Sequence, residues 1–179
     1  MSQKVPLLRL IYKNKPFLKD FREIYQRHYL SLTRTAKKML GNGYDVADII
    51  QEVFIDFLDK SNRGEPVKHP GSWLYRVTLN KCVDHLRKNN RFVDSEPSPH
   101  LSGDCNQLEN IEEKALLARC LASLKPHERE LCVLYSEGMG YKEMAEITGI
   151  PFSSIGKTLS RTLIKLENKL KQKGYEMHR

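Results

Sequence analysis

The sequence predicts an all-α protein with two small helical domains joined by a flexible acidic linker. Apolar residues recur every three or four positions in both halves, and alternating strand patterns are rare. Charge marks the division. Residues 1–91 hold 18 basic and 9 acidic residues, 92–113 hold six acids and no Lys or Arg, and 114–179 hold 12 basic and 7 acidic residues. Since Pro, Ser and Gly in the middle stretch disfavour regular structure, we expect domains at 1–91 and 111–179 and a linker at 92–110.

Composition limits the classes of function. The 179-residue chain has a formal net charge of +8, which favours polyanionic partners such as nucleic acids. No apolar run approaches the ~18 residues of a membrane span and the N-terminus lacks a signal-peptide core, so we expect a cytoplasmic protein without membrane insertion. The four cysteines have neither CxxC nor zinc-ligand spacing, so we expect buried or idle thiols, no metal and no cofactor.

Residues 45–60 predict the clearest helix of the first domain. Asn42-Gly43 indicates a turn before it, and Asp45 is a good N-cap. One face is apolar, through Val46, Ile49, Ile50, Val53, Phe54, Phe57 and Leu58. The opposite face carries four acids and one amide: Asp48, Gln51, Glu52, Asp56 and Asp59. In a protein this basic elsewhere, such a face is either an ordinary solvated surface or a docking surface for a basic partner.

Residues 70–91 predict a second helix, which begins at the Pro70-Gly71-Ser72 start signal. Its expected surface combines aromatic, polar and basic side chains: Trp73, Tyr75, Arg76, Asn80, Lys81, Arg87, Lys88 and Arg91. Aromatic rings stack on bases while cations follow the backbone, so this combination suits single-stranded nucleic acid. Trp73 taken alone fits a core position better.

The second domain ends in a predicted helix-turn-helix. Helices are expected over 112–124 and from Pro126 to 135, and Gly138 ends the latter. A short helix over 141–148, a turn at Gly149 and a final helix from Ser153 or Ser154 follow. The final helix exposes Lys157, Ser160, Arg161 and Lys165, which suit contacts to phosphates and bases.

Three segments, in this order, resemble bacterial RNA polymerase sigma factors. DVADIIQEVF resembles the region that binds the clamp helices of the largest polymerase subunit. PGSWLYRVTLNKCVDHLRK resembles the segment that melts and recognises the minus-ten promoter element. GMGYKEMAEITGIPFSSIGKTLSRTLIKL resembles the helix-turn-helix that recognises the minus-thirty-five element. The short length and the lack of other sigma domains resemble the extracytoplasmic-function (ECF) group.

The resemblance implies a subunit without catalytic activity that directs core RNA polymerase to promoter DNA and aids melting. It implies polymerase contacts by Asp45, Asp48, Gln51, Glu52 and Asp56, and minus-ten contacts by the surface residues of 70–91 named above, from Trp73 to Lys88. It implies minus-thirty-five contacts by Lys142, Ser153, Ser154, Lys157, Thr158, Arg161 and Lys165. An anti-sigma factor is a further partner that the resemblance allows. Gly156 and Thr158 stand where the family usually has cations.

Two other classes account for part of the sequence. A dimeric helix-turn-helix repressor would explain the second domain and the charge, but not the pair of motifs in the first. A nucleic-acid-modifying enzyme would need catalytic motifs, and the sequence has neither HExxH nor GxxxxGK[ST].

Overall fold

The computed structural model describes residues 15–41, 46–65, 67–90 and 108–173. These residues form helices and no strand, so the all-α prediction is confirmed. The helices are α1 (Lys15–Leu40), α2 (Val46–Asn62), α3 (Pro70–Asn90), α4 (Leu108–Ala122), α5 (Pro126–Ser136), α6 (Tyr141–Thr148) and α7 (Phe152–Gln172). Across the described part of the chain, no helix has both the length and the apolar character needed to span a membrane.

Helices α1, α2 and α3 pack against one another and form the first lobe. The apolar face predicted for α2 is confirmed, because all seven of its residues are buried. Phe21 of α1 packs edge-on against Phe54, with ring centroids 6.0 Å apart. Helix α1, whose bounds were not predicted, has 26 residues and ends before Gly41, whose φ of +84° favours glycine.

Helices α4 to α7 form the second lobe, whose helix boundaries differ slightly from those predicted. Helix α4 begins at Leu108, inside the stretch assigned to the linker, and the acids of its first turns favour a helix N-terminus. Helix α7 begins at Phe152 instead of Ser153 or Ser154, after Pro151 at the N-cap. Between α6 and α7, Gly149 adopts φ +75°, which makes the predicted turn. Residues 92–107 of the predicted linker lie outside the described residues, as does Arg91 at the end of the predicted first domain.

Three cysteines are buried, as predicted: Cys82, Cys120 and Cys132. Burial raises the pKa of the Cys82 thiol to about 12 and that of Cys132 to about 11. Since the thiolate is the reactive form, these thiols are inert at neutral pH. Cys105 lies outside the described residues.

The two lobes pack directly against each other, which the sequence did not predict. Helix α3 contacts α6, and helix α1 contacts both α4 and α5. One hydrophobic core runs from Leu32 and Leu74 in the first lobe to Leu134, Met144 and Ile155 in the second. A smaller cluster, including Cys120, Leu166 and Leu170, lies inside the second lobe.

Candidate nucleic-acid interface

The acidic face of α2 is exposed to solvent. Asp48, Gln51, Glu52 and Asp56 are all exposed and lie opposite the seven buried apolar residues. The fifth residue predicted for polymerase binding, Asp45, lies outside the described residues. Gln51, Glu52 and Asp56 each lie three or four residues from another member of the set, so with Asp48 they form one continuous surface, which we call the acidic face.

Lys81 of α3 joins this acidic face. Its Nζ lies 2.9 Å from Asp56 Oδ2 and 3.1 Å from Glu52 Oε2. Burial lowers the pKa of Lys81, but hydrogen bonds and attraction from the two carboxylates outweigh it and raise the pKa overall. Lys81 therefore forms ion pairs with the predicted docking surface, although it was predicted to contact the minus-ten element.

The remaining basic surface of α3 lies on one side of the helix. At about 100° per residue, every predicted minus-ten residue except Tyr75 falls within an arc of about 140°. Asn80, Arg87 and Lys88 are exposed. Arg87 Nη1 lies 3.5 Å from Asp84 Oδ1, at the surface. Arg76 is also in the exposed class, but its guanidinium binds the second lobe, through backbone carbonyls of α6.

The two aromatic residues predicted for this surface differ in position. Trp73 is half-buried, and its ring centroid lies 5.7 Å from that of Phe57. Tyr75 is only 7% exposed, so the expectation that it lies on the surface is wrong for this structure. The physical reason is helical periodicity, which puts Tyr75 on the same side as the buried residues Leu79 and Cys82.

The exposed side of α7 carries the residues predicted to contact duplex DNA. Ser153, Ser154, Lys157 and Arg161 are exposed, on the side opposite the helix's buried apolar residues. Lys142 is exposed near the start of α6. Their arrangement on a helix-turn-helix suits phosphate and base contacts from α7 in a major groove.

Two of the predicted residues on α7 make contacts within the protein. Lys165 Nζ lies 2.7 Å from Glu128 Oε2 and 3.0 Å from Oε1. The Thr158 hydroxyl donates to the Ser154 carbonyl at 2.8 Å. Burial raises the pKa of Glu128, but hydrogen bonds from Lys165 and from the Lys125 backbone N–H lower it overall. Lys165 thus stabilises the start of α5.

Gly156 of α7 faces the ring of Tyr141 on α6. A Cβ atom added at this position would lie 3.4 Å from Tyr141 Cε2. This is an ordinary contact distance, so a Cβ atom fits beside the Tyr141 ring, while a longer basic side chain would have to extend past the ring. The contact between α6 and α7 restricts the direction of a side chain at this position but does not exclude one.

The residues that connect the two lobes were not predicted from the sequence. Arg34 and Lys38 on α1 pair with Glu137, just beyond α5, and Arg129 is a buried arginine. Only contacts across the fold distinguish these residues from ordinary surface charges, so no local pattern could have identified them. Within the described part of the chain, no group of three or more His, Cys, Asp or Glu side chains could hold a metal ion.

Comparisons with known proteins assign both lobes. Residues 24–92 match the family model of Sigma-70 region 2, and residues 114–166 match that of Sigma-70, region 4. The chain is 27% identical over 147 residues to the ECF RNA polymerase sigma factor SigE of Mycolicibacterium smegmatis, covering 78% of this chain and 57% of that protein. It is 27% identical over 143 residues to the RNA polymerase sigma factor HrpL of Pseudomonas syringae, covering 75% and 78%.

A solved structure has the same fold. The sigma factor RpoE in complex with the anti-sigma factor NepR from Bartonella quintana superposes with a TM-score of 0.62 at 21% identity, covering 86% of this chain and 98% of RpoE. The two family models together match about two thirds of the chain, in the order of the two lobes. The chain therefore belongs to the sigma-70 family, as an ECF-type RNA polymerase sigma factor, the class of subunit that directs transcription initiation.

Proposed function

We propose that this sigma factor acts purely by binding, through three surfaces that divide the work of promoter recognition. The observation that carries the proposal is their order along the chain: an exposed acidic face on α2, a basic surface on α3, and a basic exposed side on α7 of the helix-turn-helix. Neither lobe needs a metal or a cofactor for this role.

The acidic face of α2 binds core polymerase in this proposal. Asp48, Glu52 and Asp56 present negative charge to solvent on a chain whose net charge is +8. Because the protein is otherwise basic, this face is the natural one for a basic partner surface. Lys81 orients Glu52 and Asp56 by binding both carboxylates.

The surface of α3 binds the minus-ten element. Arg87 and Lys88 supply exposed positive charge at the end of the helix, Asn80 supplies an amide, and half-buried Trp73 supplies an aromatic edge. Extruded bases stack on aromatic rings while cations hold the phosphates, which stabilises a melted strand. Arg76 can join this group only when its guanidinium is released from the backbone carbonyls of α6.

The exposed side of α7 binds the minus-thirty-five element. Lys157 and Arg161 lie one turn apart and extend into solvent, opposite the core. Ser153 and Ser154 lie in the first turn, where their hydroxyls and the positive end of the helix dipole favour phosphate. Lys142 adds a cation from the preceding helix.

The proposal includes a protein inhibitor as a third partner. The relative RpoE was solved together with an anti-sigma factor. We extend that kind of partner to this chain, as a protein that covers the polymerase-binding or DNA-binding surfaces until a signal releases it.

In vitro transcription tests the proposal. Core polymerase with this chain should produce transcripts from a discrete subset of a genomic promoter library, and core polymerase alone should not. Lys157→Ala with Arg161→Ala should retain core binding in a pull-down but lose the promoter subset. A chain that forms a dimer and binds a palindrome without polymerase would contradict the proposal and favour a repressor.

A further inference from the structure

Phe152 is a large apolar side chain that extends into solvent at the start of the second helix of the helix-turn-helix. It is the first residue of α7 and is 64% exposed. Among the large apolar side chains that the structure describes, only Leu30 on α1 is more exposed. Single apolar residues are common on protein surfaces, so the exposure of Phe152 is informative only because of where the ring lies.

The backbone at Phe152 is fixed by the turn that precedes it. Gly149 makes the turn after α6 with φ +75°, and Pro151 at the N-cap of α7 has φ −53° and ψ 134°. The proline ring restricts φ, and the Pro151 carbonyl accepts a hydrogen bond from the Ser154 N–H at 2.8 Å. Phe152 is therefore presented from a fixed backbone and not from a loose chain end.

The next turn of α7 leaves the Phe152 ring uncovered. Side chains on a helix lean toward its N-terminus, so a side chain at position 156, four residues later, would lean toward Phe152. Gly156 has no side chain, and a Cβ atom placed there would lie within 4 Å of Tyr141 but not of the Phe152 ring. The ring therefore has open space beside it on the helix surface.

The position of Phe152 in α7 is one that contacts base edges. In helix-turn-helix proteins, the N-terminal residues of the second helix contact bases in the major groove. Ser153 and Ser154 follow directly, are exposed, and are assigned to phosphate above. A serine hydroxyl both donates and accepts hydrogen bonds, so it discriminates weakly between bases. In the first turn of α7, discrimination between bases is therefore left to Phe152.

A phenyl ring in the major groove favours thymine over the other bases. The ring has no hydrogen-bond donor or acceptor, so beside guanine, adenine or cytosine it would displace water from polar base atoms without replacing the lost hydrogen bonds. Thymine presents its C5 methyl group in this groove, and apolar side chains such as phenylalanine contact that methyl. The contact removes apolar surface from water on both partners, which is favourable in proportion to the buried area.

We propose that Phe152 is a specificity-determining residue, which selects a thymine in the minus-thirty-five element by contact with its C5 methyl group. Phe152 lies nine residues before Arg161, or about 13 Å along the helix axis, so the two side chains contact different base pairs. This inference rests on the proposed function, because it names the base that one residue of α7 recognises.

Selection from randomised promoters tests the position of the contact. The probe is a promoter recovered by the transcription screen, with its minus-thirty-five element randomised, and wild-type holoenzyme should enrich a thymine at one position. Phe152→Ala should lose that preference and keep the others, whereas Arg161→Ala should lose a preference at a different position. Leu30→Ala removes a similarly exposed apolar side chain from α1 and should leave every preference unchanged.

Deletion of the methyl group tests the chemistry of the contact. Uracil lacks only the C5 methyl of thymine, so replacing the selected thymine by uracil keeps the hydrogen-bonding groups of the base. Wild-type holoenzyme should bind the uracil duplex about fourfold more weakly, as expected for the loss of one buried carbon group. Phe152→Ala holoenzyme should bind the thymine and uracil duplexes equally, so the two changes should be non-additive. Phe152→Leu keeps an apolar side chain and should keep a preference for thymine.

Specific results would overturn this assignment. One is that wild-type holoenzyme binds thymine and uracil duplexes equally at every position of the element; another is that Phe152→Ala discriminates thymine from uracil as the wild type does. If Phe152→Ala has a lower helix content by circular dichroism, Phe152→Gln removes the ring while keeping a long side chain, and the same comparison applies. Failure of the proposed function would appear instead as absence of promoter-specific transcription by the wild type.

Discussion

Two lysines that the sequence assigned to DNA are bound by carboxylates of their own lobe. Lys81 contacts Glu52 and Asp56, and Lys165 contacts both oxygens of Glu128. A cation in such a pair adds little to phosphate binding, since the carboxylates already compensate its charge. By contrast, Lys88 and Lys157 are exposed and form no ion pair among the described contacts.

Lys81→Ala is therefore expected to weaken minus-ten binding less than Lys88→Ala. Removal of a phosphate-binding lysine lowers the salt dependence of binding by about one counterion, and Lys88→Ala should show that change. The measurement is fluorescence anisotropy of holoenzyme with a minus-ten oligonucleotide over a range of salt concentrations. Equal losses of affinity and equal salt slopes for both variants would contradict this assignment.

Gly156 gives a second prediction at the level of single residues. An added Cβ would meet Tyr141 at a normal contact distance, and alanine favours a helix interior over glycine by about 1 kcal/mol. Gly156→Ala should raise the free energy of unfolding by roughly 0.5–1 kcal/mol. Urea unfolding of both proteins measures this difference, and a clear loss of stability would show that the Tyr141 contact is too tight.

At the scale of elements, periodicity predicted what depends on local pattern. The buried face of α2 and the bounds of α6 follow from spacing and a glycine turn, and both agree with the structure. Tyr75 was misplaced because an aromatic residue beside cations fits a stacking surface as well as a core. The predicted start of α4 was too late, because the acidic residues near its beginning were taken as part of the linker. Acidic residues also favour the N-terminus of a helix. The contacts between the lobes depend on the tertiary fold, which local spacing does not encode.

The start of α5 should make the stability of the second lobe depend on pH. The folded-state pKa of Glu128 is lowered below its ordinary value of 4.5, so its contribution is present above that value. The contribution is lost as the pH falls through the folded pKa. Glu128→Gln should therefore lower the melting temperature at pH 7 and flatten the loss of stability between about pH 5 and pH 3.

Thermal melts followed by circular dichroism over that pH range measure the effect. Glu113→Gln removes an exposed carboxylate from the same lobe and serves as the matched control. Its melting curve should run parallel to that of the wild type. If the Glu128→Gln curve runs parallel as well, the contact with Lys165 does not stabilise the folded state.

At the scale of the whole molecule, the chain combines three proposed recognition surfaces with one hydrophobic core shared by both lobes. Lys157 and Arg161 of the second lobe and the acidic face of the first are exposed to solvent although the lobes pack together. Only the α3 surface is partly covered, at Tyr75 and Arg76. The proposed surfaces on α2 and α7 are therefore both exposed while the lobes are packed together.

The shared core also predicts how the free protein unfolds. Because buried residues of both lobes, from Leu32 to Ile155, form one hydrophobic cluster, the wild type should melt in a single transition. Its calorimetric and van't Hoff enthalpies should agree, as in a two-state domain. Glu137→Lys would replace the carboxylate that pairs with Arg34 and Lys38 of the first lobe by a cation, which weakens the contact between the lobes. Differential scanning calorimetry of this variant should then show two transitions or one broadened transition. Two separate transitions already present in the wild type would mean that the lobes are stable independently and that their contact adds little to folding.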